Sequence, residues 1–254
     1  MANIADDDWC TGAVAIVDAL GVQGIGRSGS YSAAAAVLRD AAAKGRALKA
    51  VLERDAGHQY PFKGVPKTDV VPFADTILIA TSIPGDHSSR QLARDMLWRV
   101  GIVVGYVVRH AAQLSPPLVY RGAIALGRLW RDEVEPPDFP VIQGPAVNAA
   151  AKEYEIARAG VIHVVNPPVP LGRRSGWLGS PELDAMFVDC SFPTKDGDRH
   201  GKVLSPFFHV TSDSDEGRAI STGFDGATCG HSYNGATMDF IAECARIDRT
   251  RFDQ

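Results

Sequence analysis

Cysteine is scarce and scattered in this 254-residue chain: Cys10, Cys190, Cys229 and Cys244 stand far apart, with no CxxC pair. That spacing indicates neither a zinc site nor a disulfide framework, and it fits a reducing cytoplasm. No long hydrophobic run is present. The most apolar stretch, 100–108, is bracketed by Arg99 and Arg109 and falls short of the roughly 20 residues a membrane-spanning helix needs. The opening MANIADDDW lacks the basic and apolar regions of a signal peptide. An excess of positive charge is missing too: 26 basic against 30 acidic residues leave a formal net charge of -4. This argues against a nucleic-acid binder, whose phosphate contacts need a clustered basic face, so any anion must be held by local positive charge. Mid-chain histidines (His58, His87, His110, His163) form no cluster, and Cys229 with His231 supplies only two ligands. Repeats, low-complexity tracts and a Pro/Gly-rich linker are absent. With 45% apolar residues the chain reads as one globular domain over 1–254, with a core over about 11–210 and a C-terminal extension over about 211–254.

What is present begins with TGAVAIVDALGVQGIG at 11–26, an apolar strand that runs into one carboxylate, Asp18, and then into a glycine-rich turn. A lone Asp at a strand end commonly serves a cap or a turn. Beside a second acidic strand, the pair could hold hard divalent cations while the N–H groups of the turn face phosphate oxygens. Residues 28–55 follow as a helix packed on the sheet, with Ser28 or Ser30 as its cap and Gly45 as a possible interruption. DVVPFADTILIATS at 69–82 then reads as a tight hairpin that brings the second carboxylate, Asp75, to its turn.

A long helix over 86–114, capped near Ser88 or Ser89, ends at Pro116 and Pro117. The strand LVYRGAIALG at 118–127 is apolar except for Arg121, whose guanidinium therefore calls for an anionic partner. Residues 141–160 run from a short strand into a helix that starts at Pro145 and ends at Gly160. Asn148 and Lys152, four apart, share one face of it. A strand covers 161–165, and LGRRSGW at 171–177 is a basic surface loop. Two later strands, 186–192 and 203–210, are joined by a long charged turn; 211–235 reads as irregular, and 238–247 as a terminal helix.

Four motifs in this order resemble the catalytic domain of class III nucleotidyl cyclases. VDALGV (17–22) resembles the family's strand-end Asp motif, and FAD (73–75) its hairpin Gly-Asp with Ala74 in place of Gly. RGAIALG (121–127) is similar to its RxGxxxG strand, and GPAVNAAAK (144–152) to its GxxVNxAxR helix. The resemblance covers roughly 11–166. It implies an α/β class, more closely an α+β sandwich: a ferredoxin-like antiparallel sheet covered by helices, here with extra C-terminal strands and a helix.

The resemblance further implies that Asp18, Asp75 and the Ala19 carbonyl hold two Mg2+ or Mn2+ ions. Asn148 would orient the ribose, Lys152 would stabilise charge at the α-phosphate in place of the family's arginine, and Arg121 would contact phosphate. Leu20, Gly21 and Val22 would lie along the nucleotide, with Lys195 on the triphosphate and Lys202 in reserve. At the two positions where adenylate cyclases read adenine stand Val71 and Val141, which cannot make those hydrogen bonds. That departure resembles the pyrimidine cyclases of the Pycsar anti-phage system, which make cyclic UMP or cyclic CMP, and it points to UTP or CTP as substrate. Loss of base contacts and of the arginine is equally what a degenerate, regulatory cyclase fold would show. The family divides each site between two protomers, so the resemblance implies a head-to-tail homodimer with shared active sites, while the acidic charge balance and the short apolar runs speak for no nucleic-acid and no membrane partner.

Overall fold

The computed structural model describes residues 9–20, 22, 31–56, 66–85, 89–132, 140–165 and 180–252. The first strand, β1 (Trp9–Leu20), lies inside the sheet. Its residues alternate between two apolar environments, which is why it reads as a nearly continuous hydrophobic run. Ala13, Ala15, Val17 and Ala19 enter a large core, while Val14 and Ile16 enter a smaller one on the other face.

Helix α1 (Tyr31–Ala56) and helix α2 (Arg90–Ala112) cover the first face. Gly45 does not interrupt α1. A Cβ there would stand 3.1 Å from Val107 Cγ2 and 3.2 Å from Val70 Cγ1, so the glycine lets α1 close on α2 and the sheet. The N-cap of α2 is Ser89, whose hydroxyl accepts from the Leu92 N–H at 3.3 Å. The proposed caps of α1, Ser28 and Ser30, lie outside the described residues, as do the basic loop 171–177 and most of the glycine-rich turn.

Strands β2 (Lys67–Phe73) and β3 (Thr76–Pro84) form the expected hairpin, with Ala74 and Asp75 at its turn. β4 (Val119–Asp132) is longer than its apolar stretch and pairs over Val119 to Trp130 with the whole of β1. β5 (Val141–Gln143) pairs with the end of β4, and β6 (Ile162–Val165) runs parallel to β4. With β7 (Phe187–Thr194) and β8 (Gly197–Leu204), the sheet order is β2-β3-β1-β4-β6-β8-β7, antiparallel except at β4–β6. The α/β class, a multi-strand sheet with helices on both faces, is as expected.

Helix α3 (Pro145–Glu153) lies over the second face and buries Ala146 and Ala150 there. It ends well before Gly160, because the chain turns at 154–156 and Ala157 bridges to Thr194 in β7. The charged stretch 194–204 is not an overlong turn. Thr194 Oγ1 donates to the Gly197 carbonyl and accepts from the Asp196 N–H at 3.3 Å, and Gly197 takes φ +115°, so a two-residue turn closes a tight hairpin. The apolar PFFH that followed it is a turn rather than strand.

Helix α4 (Pro181–Met186) leads into β7, and helix α6 (Asn234–Phe252) ends the described chain. Between them, the polar segment read as irregular contains helix α5 (Asp215–Thr228). Ser214 caps it by accepting from the Gly217 N–H at 3.1 Å, and Ile220 and Phe224, four apart, bury its apolar stripe. No described helix is long and apolar enough to cross a membrane.

Candidate active site

The site grows from one cross-strand row. Asp18 of β1 pairs in register with Thr76 of β3 on one side and Arg121 of β4 on the other, so all three side chains project from the same sheet face. Arg121 finds the anionic partner its burial required: its Nη2 and Nε donate to Asp18 Oδ2 at 3.2 and 3.4 Å. Thr76 Oγ1 donates to Oδ1 at 3.3 Å. The glycine after Arg121 is demanded by packing, since a Cβ at Gly122 would sit 2.4 Å from the Ile16 carbonyl oxygen.

The hairpin turn brings the second carboxylate to the same sheet end. The Asp75 carbonyl accepts from the Ala19 N–H at 2.9 Å, which ties the turn to the end of β1. Ala74 adopts φ +53°, a left-handed conformation that glycine takes without strain, and this accounts for alanine being the unusual residue in that motif. Partial burial, and then the nearby Asp75 carboxylate, hold the Asp18 carboxyl above its ordinary range, against the opposing charge and hydrogen bonds of Arg121 and the bond from Thr76. Two carboxylates at one sheet end form an oxygen donor set of the kind that a hard divalent cation takes, with Arg121 occupying Asp18 in this structure. Among the described residues no group of three or more His, Cys, Asp or Glu side chains could hold a metal. Further ligands would have to come from backbone carbonyls, water or substrate phosphate.

Asp75 also opens onto a cavity of about 420 Å³ between α1 and the hairpin, lined on its apolar side by Val22, Leu38, Pro72 and Ile77. Arg39 and Arg46 line it too. They stand seven residues apart, two turns along the same helix face, a pattern that the sequence reading passed over. Of the other nucleotide-lining candidates, Leu20 closes β1 half-buried, Val71 is half-buried on β2, and Gly21 lies outside the described residues.

Asn148 and Lys152 do not join this group within one chain. Ala146 and Ala150 face the sheet, and Asn148 lies about 200° around the helix from Ala146, so both polar side chains are on the outward side of α3 and are exposed. Val141 is 49% exposed on the short strand beside that helix. Lys195, at the tip of the β7–β8 hairpin, lies 3.6 Å from Glu155. Glu155 accepts from the Tyr154 hydroxyl at 2.9 Å; that bond, with the charges of Arg121 and Lys195, lowers its pKa. Glu155 thus joins Tyr154 and Lys195 in one cluster, and neither Tyr154 nor Glu155 was singled out by the sequence. Lys202, the reserve candidate, is instead paired with Asp189 at 2.7 Å.

No protein-family model matches the chain, and no curated protein matches it. Among solved structures it is similar to the guanylyl cyclase domain of the RhoGC fusion protein from the aquatic fungus Blastocladiella emersonii, at 14% identity and TM-score 0.47, over 77% of this chain and 95% of that one. It is also similar to the guanylate cyclase domain of RhGC from Catenaria anguillulae in complex with GTP, at 14% identity and TM-score 0.46, over 79% and 98%. A third is the adenylyl cyclase CyaB from P. aeruginosa, at 13% identity and TM-score 0.45, over 77% and 92%. At such identities and scores the likeness carries nothing about chemistry, which rests on the residues of this chain.

Proposed function

We propose that the chain is a nucleotidyl cyclase that converts a pyrimidine nucleoside triphosphate, UTP before CTP, into its 3',5'-cyclic monophosphate and pyrophosphate. The observation that carries this reading is the meeting of Asp18 and Asp75 at one sheet end, with Arg121 on the first and the hydrogen bond from Ala19 to Asp75 holding the second. Asp18, Asp75 and the Ala19 carbonyl hold two Mg2+ or Mn2+ ions in this reading. When bound, such ions lower the pKa of the ribose 3'-hydroxyl and neutralise triphosphate charge.

The chain's own residues position and neutralise. Arg121, which holds Asp18 in this structure, would be placed to contact a phosphate oxygen, and Lys195 and the cavity arginines Arg39 and Arg46 would supply further positive charge for the leaving pyrophosphate. Asn148 orients the ribose and Lys152 meets charge developing at the α-phosphate. A lysine does this as a point charge, without the bidentate grip of an arginine. The outward placement of these two on α3 supports a reading in which a second copy brings them to the carboxylates, in a head-to-tail homodimer with two shared sites. Val71 and Val141 support a pyrimidine, since neither can form the paired hydrogen bonds that select a purine. By the resemblance to the Pycsar cyclases, the cyclic product is a second messenger in anti-phage defence.

The test is incubation with each of the four nucleoside triphosphates, with Mg2+ and with Mn2+. A cyclic pyrimidine nucleotide that disappears in Asp18→Ala and Asp75→Ala is the expected result. Preference for ATP or GTP would overturn the base assignment. Metal-dependent nucleotide binding without turnover would favour a regulatory module, the reading to which Lys152 lends itself.

A further inference from the structure

The least explained polar atom near the site is the hydroxyl of Tyr120. The side chain is wholly buried, at 0% exposure, and is among the largest buried in the molecule. Its hydroxyl has no hydrogen-bond partner among the described residues. Leaving such a group unpaired costs about 1–3 kcal/mol, and phenylalanine would fill the same space without that cost.

The position of Tyr120 is particular. In register it lies directly across from Ala19, the residue whose N–H holds the Asp75 carbonyl. Its neighbour Arg121 projects from the opposite sheet face to reach Asp18. Tyr120 itself belongs to the large core on the side of α1, where Asp75 lines the cavity. The tyrosine therefore stands on the α1 side of the sheet, the side on which Asp75 lines the cavity, with Asp18 on the other face beside it.

We propose that Tyr120 is a positioning residue for the divalent cation of this site, its hydroxyl donating to a carboxylate oxygen or a water bound to the ion once Asp18 and Asp75 take it up. The proposal rests on the metal-binding reading of those two residues. It gives the hydroxyl, which has no partner among the described residues, an acceptor. Hydrogen bonds to the ligands of a metal commonly contribute 10- to 100-fold in affinity.

The experiment compares the full chain with its Tyr120→Phe variant in a Mn2+ titration, with free ion read by paramagnetic resonance, alongside the unfolding midpoint of each metal-free protein. The expected result is a Mn2+ affinity weakened about tenfold, with a metal-free midpoint unchanged or higher. Equal affinity in the two proteins would overturn the role of Tyr120 while leaving the metal site intact. A metal-free variant that is less stable, or does not fold, would overturn it as well, because the hydroxyl would then already be bonded. Absence of Mn2+ binding in the unsubstituted chain, or binding that survives Asp75→Ala, would remove the metal site itself and the proposal with it.

Discussion

Replacing Asp69 by asparagine should cost more stability than any substitution at the candidate site. Asp69 of β2 is 4% exposed and accepts two hydrogen bonds from Arg131 of β4, at 2.6 Å from Nε and 3.1 Å from Nη2. Lys49 of α1 stands 3.6 Å away. Breaking one partner of a buried pair costs about 3–5 kcal/mol. The lower figure applies here, because asparagine keeps one acceptor oxygen for Arg131 and because Lys49, 3.9 Å from Glu53, is accessible enough to turn to water. For a chain of this size, about 3 kcal/mol lowers the melting temperature by about 6–12 °C. Urea unfolding of Asp69→Asn, with an unchanged slope, measures the loss. Removing both charges together, as Asp69→Leu with Arg131→Met, should cost less than Asp69→Asn alone, because no buried charge is then left behind. A loss under about 1 kcal/mol in the single variant, or a double variant worse than the sum of its parts, would refute the claim that this pair holds the edge strand β2 to the far half of β4.

Three further outcomes are expected. Because burial and Asp75 hold the Asp18 carboxyl above its ordinary range, the fold disfavours the ionised form, and Asp18→Asn should melt at or above the temperature of the unsubstituted protein while losing Mn2+ binding and turnover; a clear fall in melting temperature would mean that the bond from Arg121 outweighs burial. His163 is buried against Phe192, with Glu153 3.6 Å away and Arg199 bonded to that same carboxylate, and burial lowers its pKa. The unfolded chain therefore takes up the proton first: stability is greatest above about pH 6.5 and declines as pH falls from there through the lowered folded value. Urea unfolding across that window should show the decline, and His163→Phe should flatten it. Finally, a Cβ at Gly223 would lie 1.8 Å from the Ala112 carbonyl oxygen, so Gly223→Ala should force α5 off α2 and cost about 1–3 kcal/mol, measured by the same unfolding; a neutral result would show that the helices can part without loss.

Legibility followed the range of the interactions. β1, the β2–β3 hairpin, α2 and β6 were read at nearly their observed places because their signals are local: unbroken apolar strands, two turn residues, a serine cap, a pair of prolines. α5 was missed because its sequence is rich in Ser, Asp, Gly and Thr, and its helix is stabilised by Ile220 and Phe224 buried against distant elements. The β7–β8 hairpin was misplaced because β8 begins with exposed charged residues, GDRHGK, which a sheet with one solvated face accepts. Gly45 and Gly122 look alike as breaks in a pattern, yet each is a place where another element comes too close for a side chain.

At the site the same division holds. The residues proposed to carry the chemistry, two strand-end carboxylates, one arginine in an apolar strand and an Asn–Lys pair four apart on a helix, were picked out from the chain alone, because residue type and spacing set what each group can donate or accept. Their grouping is not. Only the antiparallel register of β3, β1 and β4 puts Thr76, Asp18 and Arg121 in one row; only the packing of Ala146 and Ala150 turns Asn148 and Lys152 away from it; and only the closed core leaves the Tyr120 hydroxyl without a partner among the described residues. These are relations between segments far apart in the chain, 58 residues for Thr76 and Asp18 and 103 for Asp18 and Arg121, decided by which faces are buried against which.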